Sequence, residues 1–193
     1  YETWYLYGRA RFAAGDFEAA AELWQKAHEV QPDEYQAACL RSLAFSALGR
    51  SEESLTAARE AEAVTDAHLQ RHPDDLRALG LSAGSLIRMG RAEEALARTD
   101  RALRLAPDDL SVLHNASCAY AQAGQTDRAL ELMHRRLAMG GTVYREWLEH
   151  DTDFDGMRDD PRFVAILDSL PSRRPAAPGD ANDNKAPSTD AGA

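Results

Sequence analysis

Lysine is almost missing from this chain: two of its 193 residues are Lys, against 20 Arg and 32 Asp plus Glu, for a formal net charge of −10. Nucleic-acid backbone binders draw affinity from a basic surface stripe, so an acidic chain with so little lysine argues against that class. Cysteine is equally scarce. Cys39 and Cys118 supply neither a disulfide framework nor a four-cysteine metal site, and a reducing compartment, the cytoplasm, is the default expectation. No stretch approaches the ~20 consecutive apolar residues of a membrane span, so no membrane partner is expected. Aromatics make up only 7% of the chain, yet 44% of residues are hydrophobic, too many for a wholly disordered polypeptide. Also missing are a glycine-rich phosphate loop and any Ser/His/Asp or Cys/His set at a defensible spacing. The chain is therefore read as a soluble, folded protein that is not an enzyme and carries no cofactor.

What is present is repetition. Gly15, Gly49, Gly90 and Gly124 are separated by 34, 41 and 34 residues, and Ala20, Ser54, Ala95 and Ala129 each follow five residues later. Pro32, Pro73 and Pro107 repeat with spacings of 41 and 34, and Gly141 lies a further 34 beyond. Each unit reads as two helices. Trp4, Tyr7, Gly8 and Phe12 recur at helical spacing before Gly15, and Ala20, Leu23, Trp24 and Ala27 recur before Pro32. Glycine ends the first helix because it adopts the left-handed conformation at no steric cost, and Asp16 and Glu18 then place negative charge at the positive end of the next helix. At the other boundary the triplets Pro32-Asp33-Glu34, Pro73-Asp74-Asp75 and Pro107-Asp108-Asp109 stop one helix and supply carboxylates to cap the next.

These residues resemble the tetratricopeptide repeat, a helix-turn-helix unit. Trp4, Gly8, Ala20, Trp24, Ala27 and Pro32 follow the family's order, with Tyr7 in place of Leu and Arg11 in place of an aromatic. The third unit matches through Leu79, Ala83, Leu86, Ala95, Ala102 and Pro107, and the fourth through Leu113, Ser117, Tyr120, Ala129 and Met133. Arg136 then stands where a small residue is expected, so the second helix of that unit should pack against something other than a standard repeat. The resemblance implies an all-α, right-handed α-solenoid with four repeats over 1–34, 35–75, 76–109 and 110–141. Gly8, Ala20 and Ala27 should let helices approach, with Trp4 and Trp24 filling the space above and below, and stacking of neighbours should create the core.

The second unit is irregular. Ala38, Ser42, Phe45, Gly49, Ser54 and Ala61 are in register, but Pro73 arrives seven residues late. Seven residues are close to two turns, about 10 Å of helix, and keep the same face inward. With no Gly or Pro between Ala61 and Leu69 to make a loop, one long helix is expected from about Glu52 to Arg71.

The repeat pattern stops after Gly140-Gly141. Val143, Trp147 and Leu148 suggest a short helix over about 142–149, followed by an acidic linker and a last helix. Asp160 is a good N-cap and Pro161 a good first residue there, with Phe163, Ile166, Leu167 and Leu170 forming one apolar stripe. Residues 142–170 are thus expected to be a two-helix cap, and the proline-rich 171–193 a disordered tail. This closing passage is similar to those finishing many bacterial arrays attached to nucleotide cyclases, protein kinases or transcription regulators. Starting at Tyr1 without an initiator Met, the chain reads alternatively as an excised, non-catalytic regulatory region of such a signalling enzyme.

Two stretches carry partial metal motifs. Asp151-Thr152-Asp153-Phe154-Asp155-Gly156 opens like a calcium loop, but the twelfth position, which needs a bidentate Glu, is Arg162. His68 and His72 lie four apart without a third ligand, so a solvated face is expected, and Cys39 and Cys118 are read as buried structural thiols. No metal is expected.

In the family the first helices line a concave groove. Stepping through outward positions gives Tyr5, Arg9, Phe12, Leu43, Arg77, Ile87, Arg88, His114 and Gln122. Arginine can grip a carboxylate with two parallel hydrogen bonds, so a protein or peptide partner, an acidic segment or chain terminus, is expected there; the competing reading has these arginines merely pairing with neighbouring acids. The two-carboxylate clamp of the family's chaperone-tail binders is not supported: its positions hold Tyr5, Arg9, Leu40, Arg77 and Leu81, of which only the arginines could serve.

Overall fold

The computed structural model describes residues 1–140 and 145–171. Among them are ten α-helices, one 3₁₀ helix and no strand. Four antiparallel pairs come first: α1 (Glu2–Ala13) with α2 (Phe17–Val30), α3 (Tyr35–Ala47) with α4 (Ser51–Arg71), α5 (Leu76–Arg88) with α6 (Ala92–Leu105), and α7 (Leu110–Gln122) with α8 (Thr126–Ala138). Neighbouring pairs stack, giving an all-α solenoid.

The turn inside each pair is the same device four times. Gly15, Gly49, Gly90 and Gly124 have φ of 79°, 70°, 78° and 74°. The next residue's N–H reaches back to the last turn of the first helix: Asp16 to Arg11 O (2.9 Å), Arg50 to Phe45 O (2.9 Å), Arg91 to Leu86 O (2.8 Å) and Gln125 to Tyr120 O (2.8 Å). This bond satisfies a carbonyl that the helix end would leave without a partner. Between pairs, the last residue of each acidic triplet is the cap. Glu34 accepts from Gln36 N, Asp75 from Arg77 N and Ala78 N, and Asp109 from Ser111 N and Val112 N.

Small residues sit where the paired helices come closest. A Cβ on Gly8 would lie 2.5 Å from Trp24 Nε1, and that nitrogen donates to Tyr5 O at 3.2 Å. At the matching place in the second pair, Ser42 Oγ donates to Ser54 O (3.0 Å) and Ser54 Oγ to Ser42 O (2.9 Å). Trp24 is fully buried, but Trp4 is 39% exposed, with the Lys26 ammonium 5.5 Å over its ring. The expectation that both tryptophans fill inter-helix space holds for Trp24, whereas Trp4 stays exposed on α1 beside Lys26 of α2.

The long helix of the second pair is α4, unbroken over Ser51–Arg71. Its added turns are used. Thr65 is buried, and His68 Nε2 sits 2.8 Å from Asp75 Oδ2, tying the end of α4 to the cap of α5. His68 is therefore a paired, half-buried side chain rather than part of a solvated face. Earlier on α4, Glu62 is buried against Arg98 of α6 (2.7 Å), and burial pushes its carboxyl up to about 6.

After α8 come α9 (Arg145–His150), a 3₁₀ helix at Thr152–Met157, and α10 (Pro161–Ser169) capped by Asp160. Residues 142–144 of the expected short helix, Gly141, and the expected tail beyond Pro171 lie outside the described residues. The stretch expected to be an acidic linker is the 3₁₀ helix, because Asp151 caps it and Phe154 and Met157 are buried. Phe154, Met157, Phe163 and Ile166 join one apolar cluster with α7 and α8, covering the last pair. The path between them is the unexpected part: α9 crosses to pack on α1, and the 3₁₀ helix lies against α7 and α3.

Candidate functional site

The crossing segment turns the concave side of the solenoid into a cavity of about 910 Å³. One wall comes from the first helices: Tyr5 and Arg9 of α1, Cys39 and Leu43 of α3, Arg77 and Arg88 of α5, His114 and Cys118 of α7. The rest of the lining includes Arg136 of α8 and Glu146, Trp147, Asp151 and Asp153 of the closing segment.

Of the residues expected in the groove, Tyr5, Arg9, Leu43, Arg77, Arg88 and His114 line this cavity, whereas Phe12, Ile87 and Gln122 do not. Phe12 is fully buried, its ring centroid 5.2 Å from Phe17, 5.8 Å from Trp24 and 4.9 Å from Trp147. The position does face inward, but Trp147 has closed over it. Ile87 turns into the small cluster formed by Ala83, Leu86, Ala95 and Ala119. Gln122 sits in the last turn of α7, where its buried Nε2 has no hydrogen-bond partner. Reading outward positions from helical spacing alone missed Arg136, Trp147, Asp151 and Asp153, although Arg136 had already broken the repeat pattern.

The four cavity arginines are held differently. Arg88 Nη2 is 2.6 Å from Asp153 Oδ1, and both side chains are nearly buried, at 14% and 11% exposure. Arg88 therefore fastens the closing segment to α5 and has its carboxylate already. Arg77 Nη2 donates to the Tyr5 hydroxyl at 2.6 Å, while its Nε is buried without a partner. Arg136 Nε donates to Leu110 O at 3.1 Å, and its Nη1 is likewise buried and unpartnered. The Arg9 guanidinium lies 5.3 Å over the Trp147 ring. No ion pair joins Arg9, Arg77 or Arg136 to a carboxylate among the described residues.

Burial controls the titrating groups here. It pushes the His114 imidazole down to about 4, with Arg136 and Arg9 adding to the effect, so the ring is neutral near pH 7. It raises the Cys118 thiol, with Asp151 and Asp153 adding to it. Asp151 and Asp153 are raised by burial as well, Arg88 opposing this in both. The carboxylates of the calcium-like stretch diverge: Asp151 caps the 3₁₀ helix, Asp153 faces Arg88, and Asp155 pairs with Arg158 at 2.6 Å. They do not encircle a common point as a calcium loop requires.

Helix pairs stacked by small residues around a concave cavity define a helical-repeat solenoid. Residues 1–34 match the family model of the tetratricopeptide repeat, and the fold is that of a tetratricopeptide solenoid. A thermophilic tetratricopeptide protein of Thermus thermophilus, TTC0263, is similar in structure at a TM-score of 0.52 and 18% identity, over 84% of each chain. MamA of Desulfovibrio magneticus RS-1 aligns over 86% of this chain and 89% of its own, at 16% identity and a TM-score of 0.40. A comparison with curated proteins found no match. No helix among the described residues is long and apolar enough to cross a membrane.

Proposed function

We propose that this chain is a protein-interaction scaffold that takes an acidic peptide segment, or the carboxylate of a chain terminus, into its concave cavity. The supporting observation is that Arg9, Arg77 and Arg136 face one cavity from three helices with no carboxylate paired to them among the described residues. Arg77 and Arg136 are half-buried, each with one buried nitrogen lacking a hydrogen-bond partner, while Arg9 is exposed at the cavity. A buried donor without a partner is costly, and a ligand carboxylate removes that cost through charge-assisted, often bidentate, hydrogen bonds. Arg88, already joined to Asp153, positions the closing wall instead of gripping the ligand. This reading is one of binding rather than catalysis, in a reducing compartment such as the cytoplasm, where Cys39 and Cys118 stay free thiols.

Trp147 lines the cavity next to Arg9, so its fluorescence reports occupancy. Acidic peptides with a free C-terminus should perturb that emission saturably, and their amidated, neutral counterparts should bind at least about tenfold more weakly, the equivalent of ~1.4 kcal/mol. An Arg9→Ala/Arg77→Ala/Arg136→Ala variant with wild-type helix content should lose the acidic preference. Equal affinity of wild type and variant for these peptides would refute the reading.

A further inference from the structure

His114 and Cys118 stand four residues apart on α7, about one helical turn, so their side chains leave the same face. Asp151 is brought to them from the closing segment. One donor atom from each of the three lies within 4.8 Å of the other two, and His114 Nε2 is 3.9 Å from Cys118 Sγ. Nitrogen and sulfur donors bound to one tetrahedral zinc ion are about 3.5 Å apart, a geometry fixed by bonds of ~2.0–2.3 Å. The preformed cluster needs only small side-chain rotations to match it.

Asp151 provides a second, independent observation. It is only 2% exposed, and no cationic side chain forms an ion pair with it among the described residues. Its two oxygens accept from Trp147 Nε1 at 3.2 Å and from Asp153 N–H at 3.1 Å. Each oxygen keeps a further lone pair, and bonds of this kind orient a carboxylate for a metal. All three side chains line the cavity.

We propose that His114, Cys118 and Asp151 form a three-ligand site for a divalent transition ion, zinc foremost, with its fourth position open to the cavity. A thiolate beside an imidazole selects zinc or cobalt over the oxygen-seeking calcium and magnesium. Binding is a ligand exchange without redox. The metal–sulfur bond forms as the S–H bond breaks, and the thiol proton and the proton that burial favours on the Asp151 carboxyl both leave to solvent. Dication, thiolate and carboxylate together are neutral, so the site does not repel Arg9 and Arg136 in the same cavity. Since two ligands belong to α7 and the third to the closing segment, the ion would hold that segment in place. None of this depends on the peptide reading above, which uses other side chains.

The test uses the full chain, stripped with a chelator and titrated with Co²⁺. The expected result is one ion per chain with a thiolate-to-cobalt charge-transfer band, displaced by Zn²⁺. The band should vanish in Cys118→Ser, persist in Cys39→Ser, and need at least about tenfold more cobalt in His114→Gln. Absence of the band in the wild type, or its survival in Cys118→Ser, overturns the site. Asp151 also caps the 3₁₀ helix, so Asp151→Asn can disturb the fold. Cys118→Ser and His114→Gln leave every cap intact and carry the test alone.

Discussion

The contact between Phe12 and Trp147 joins two residues that are remote in sequence and whose elements have no local reason to meet, which makes it a sharp probe of the cavity wall that the closing segment forms. The two rings are 4.9 Å apart at an interplanar angle of 44°, the Arg9 guanidinium is 5.3 Å from the indole centroid, and Trp147 Nε1 donates to Asp151. Truncating a fully buried Trp costs about 3–5 kcal/mol, and this one is half-buried, so Trp147→Ala should cost about 2–3 kcal/mol. Phe12→Leu keeps most of the apolar volume and should cost about 1 kcal/mol. The diagnostic quantity is their coupling. An aromatic pair contributes about 0.5–1.5 kcal/mol beyond its buried area, so the double variant should be about 1 kcal/mol less destabilised than the sum of the single ones. Urea unfolding followed by far-UV circular dichroism avoids the confounding loss of tryptophan emission. Additivity within about 0.3 kcal/mol, as found for independent sites, would show that α9 does not rest on α1 in solution, and that wall of the cavity would fall with it.

Gly8→Ala gains about 1 kcal/mol of helix propensity, but it drives a Cβ to 2.5 Å from a fully buried tryptophan and threatens the Trp24–Tyr5 hydrogen bond; a net loss of about 1–2 kcal/mol is expected by thermal denaturation, and a gain would refute the packing argument. Gly90→Ala meets no atom within 4 Å, so its cost should come only from the left-handed backbone at φ 78°, about 1–2 kcal/mol. Glu62 gives a pH signature. Burial raises its folded pKa from 4.5 to about 6, so its contribution to stability is fully present below pH 4.5 and is lost as pH rises through 6, a swing of up to about 2 kcal/mol. The stability of wild type relative to Glu62→Gln should fall by most of that amount from pH 4.5 to about 7 in urea titrations, and a pH-independent difference would contradict it.

The punctuation of the fold was legible because it is local. A glycine that must take positive φ, a carboxylate two or three residues before the N–H it caps, and an interval without Gly or Pro that must therefore extend α4 are all decided within a few residues of themselves. The stripe of small residues was legible for the same reason, since Gly8 and Trp24 belong to one helical pair. Trp4 was misread because spacing places it on a helix face without saying whether a neighbour covers that face. The cavity's second wall was hidden for a different reason. Nothing near Trp147 or Asp153 in sequence indicates that their partners are Phe12 and Arg88. Arg136 lay between these cases: its charge at a small-residue position marked an anomaly, but only the path of the closing segment gives it a cavity to face.

That path changes how stability and binding are shared. In an open array each repeat feels only its neighbours, so the first pair can fray while the last stays folded. Here Trp147 against Phe12, and the His150 ring edge-on to Phe17 at 5.5 Å, connect the closing segment to the first pair. Asp153 on Arg88 joins the same segment to the third pair, and Phe154 and Phe163 root it on the fourth. The solenoid already holds these partners in position, so closure orders only a short stretch rather than a long loop and small contacts suffice to maintain it. Arg9, Arg77 and Arg136 come from the first, third and fourth pairs. If the acidic ligand proposed above is gripped by all three, it would favour the arrangement in which those pairs are held together, and binding and closure would reinforce each other through the same free energy.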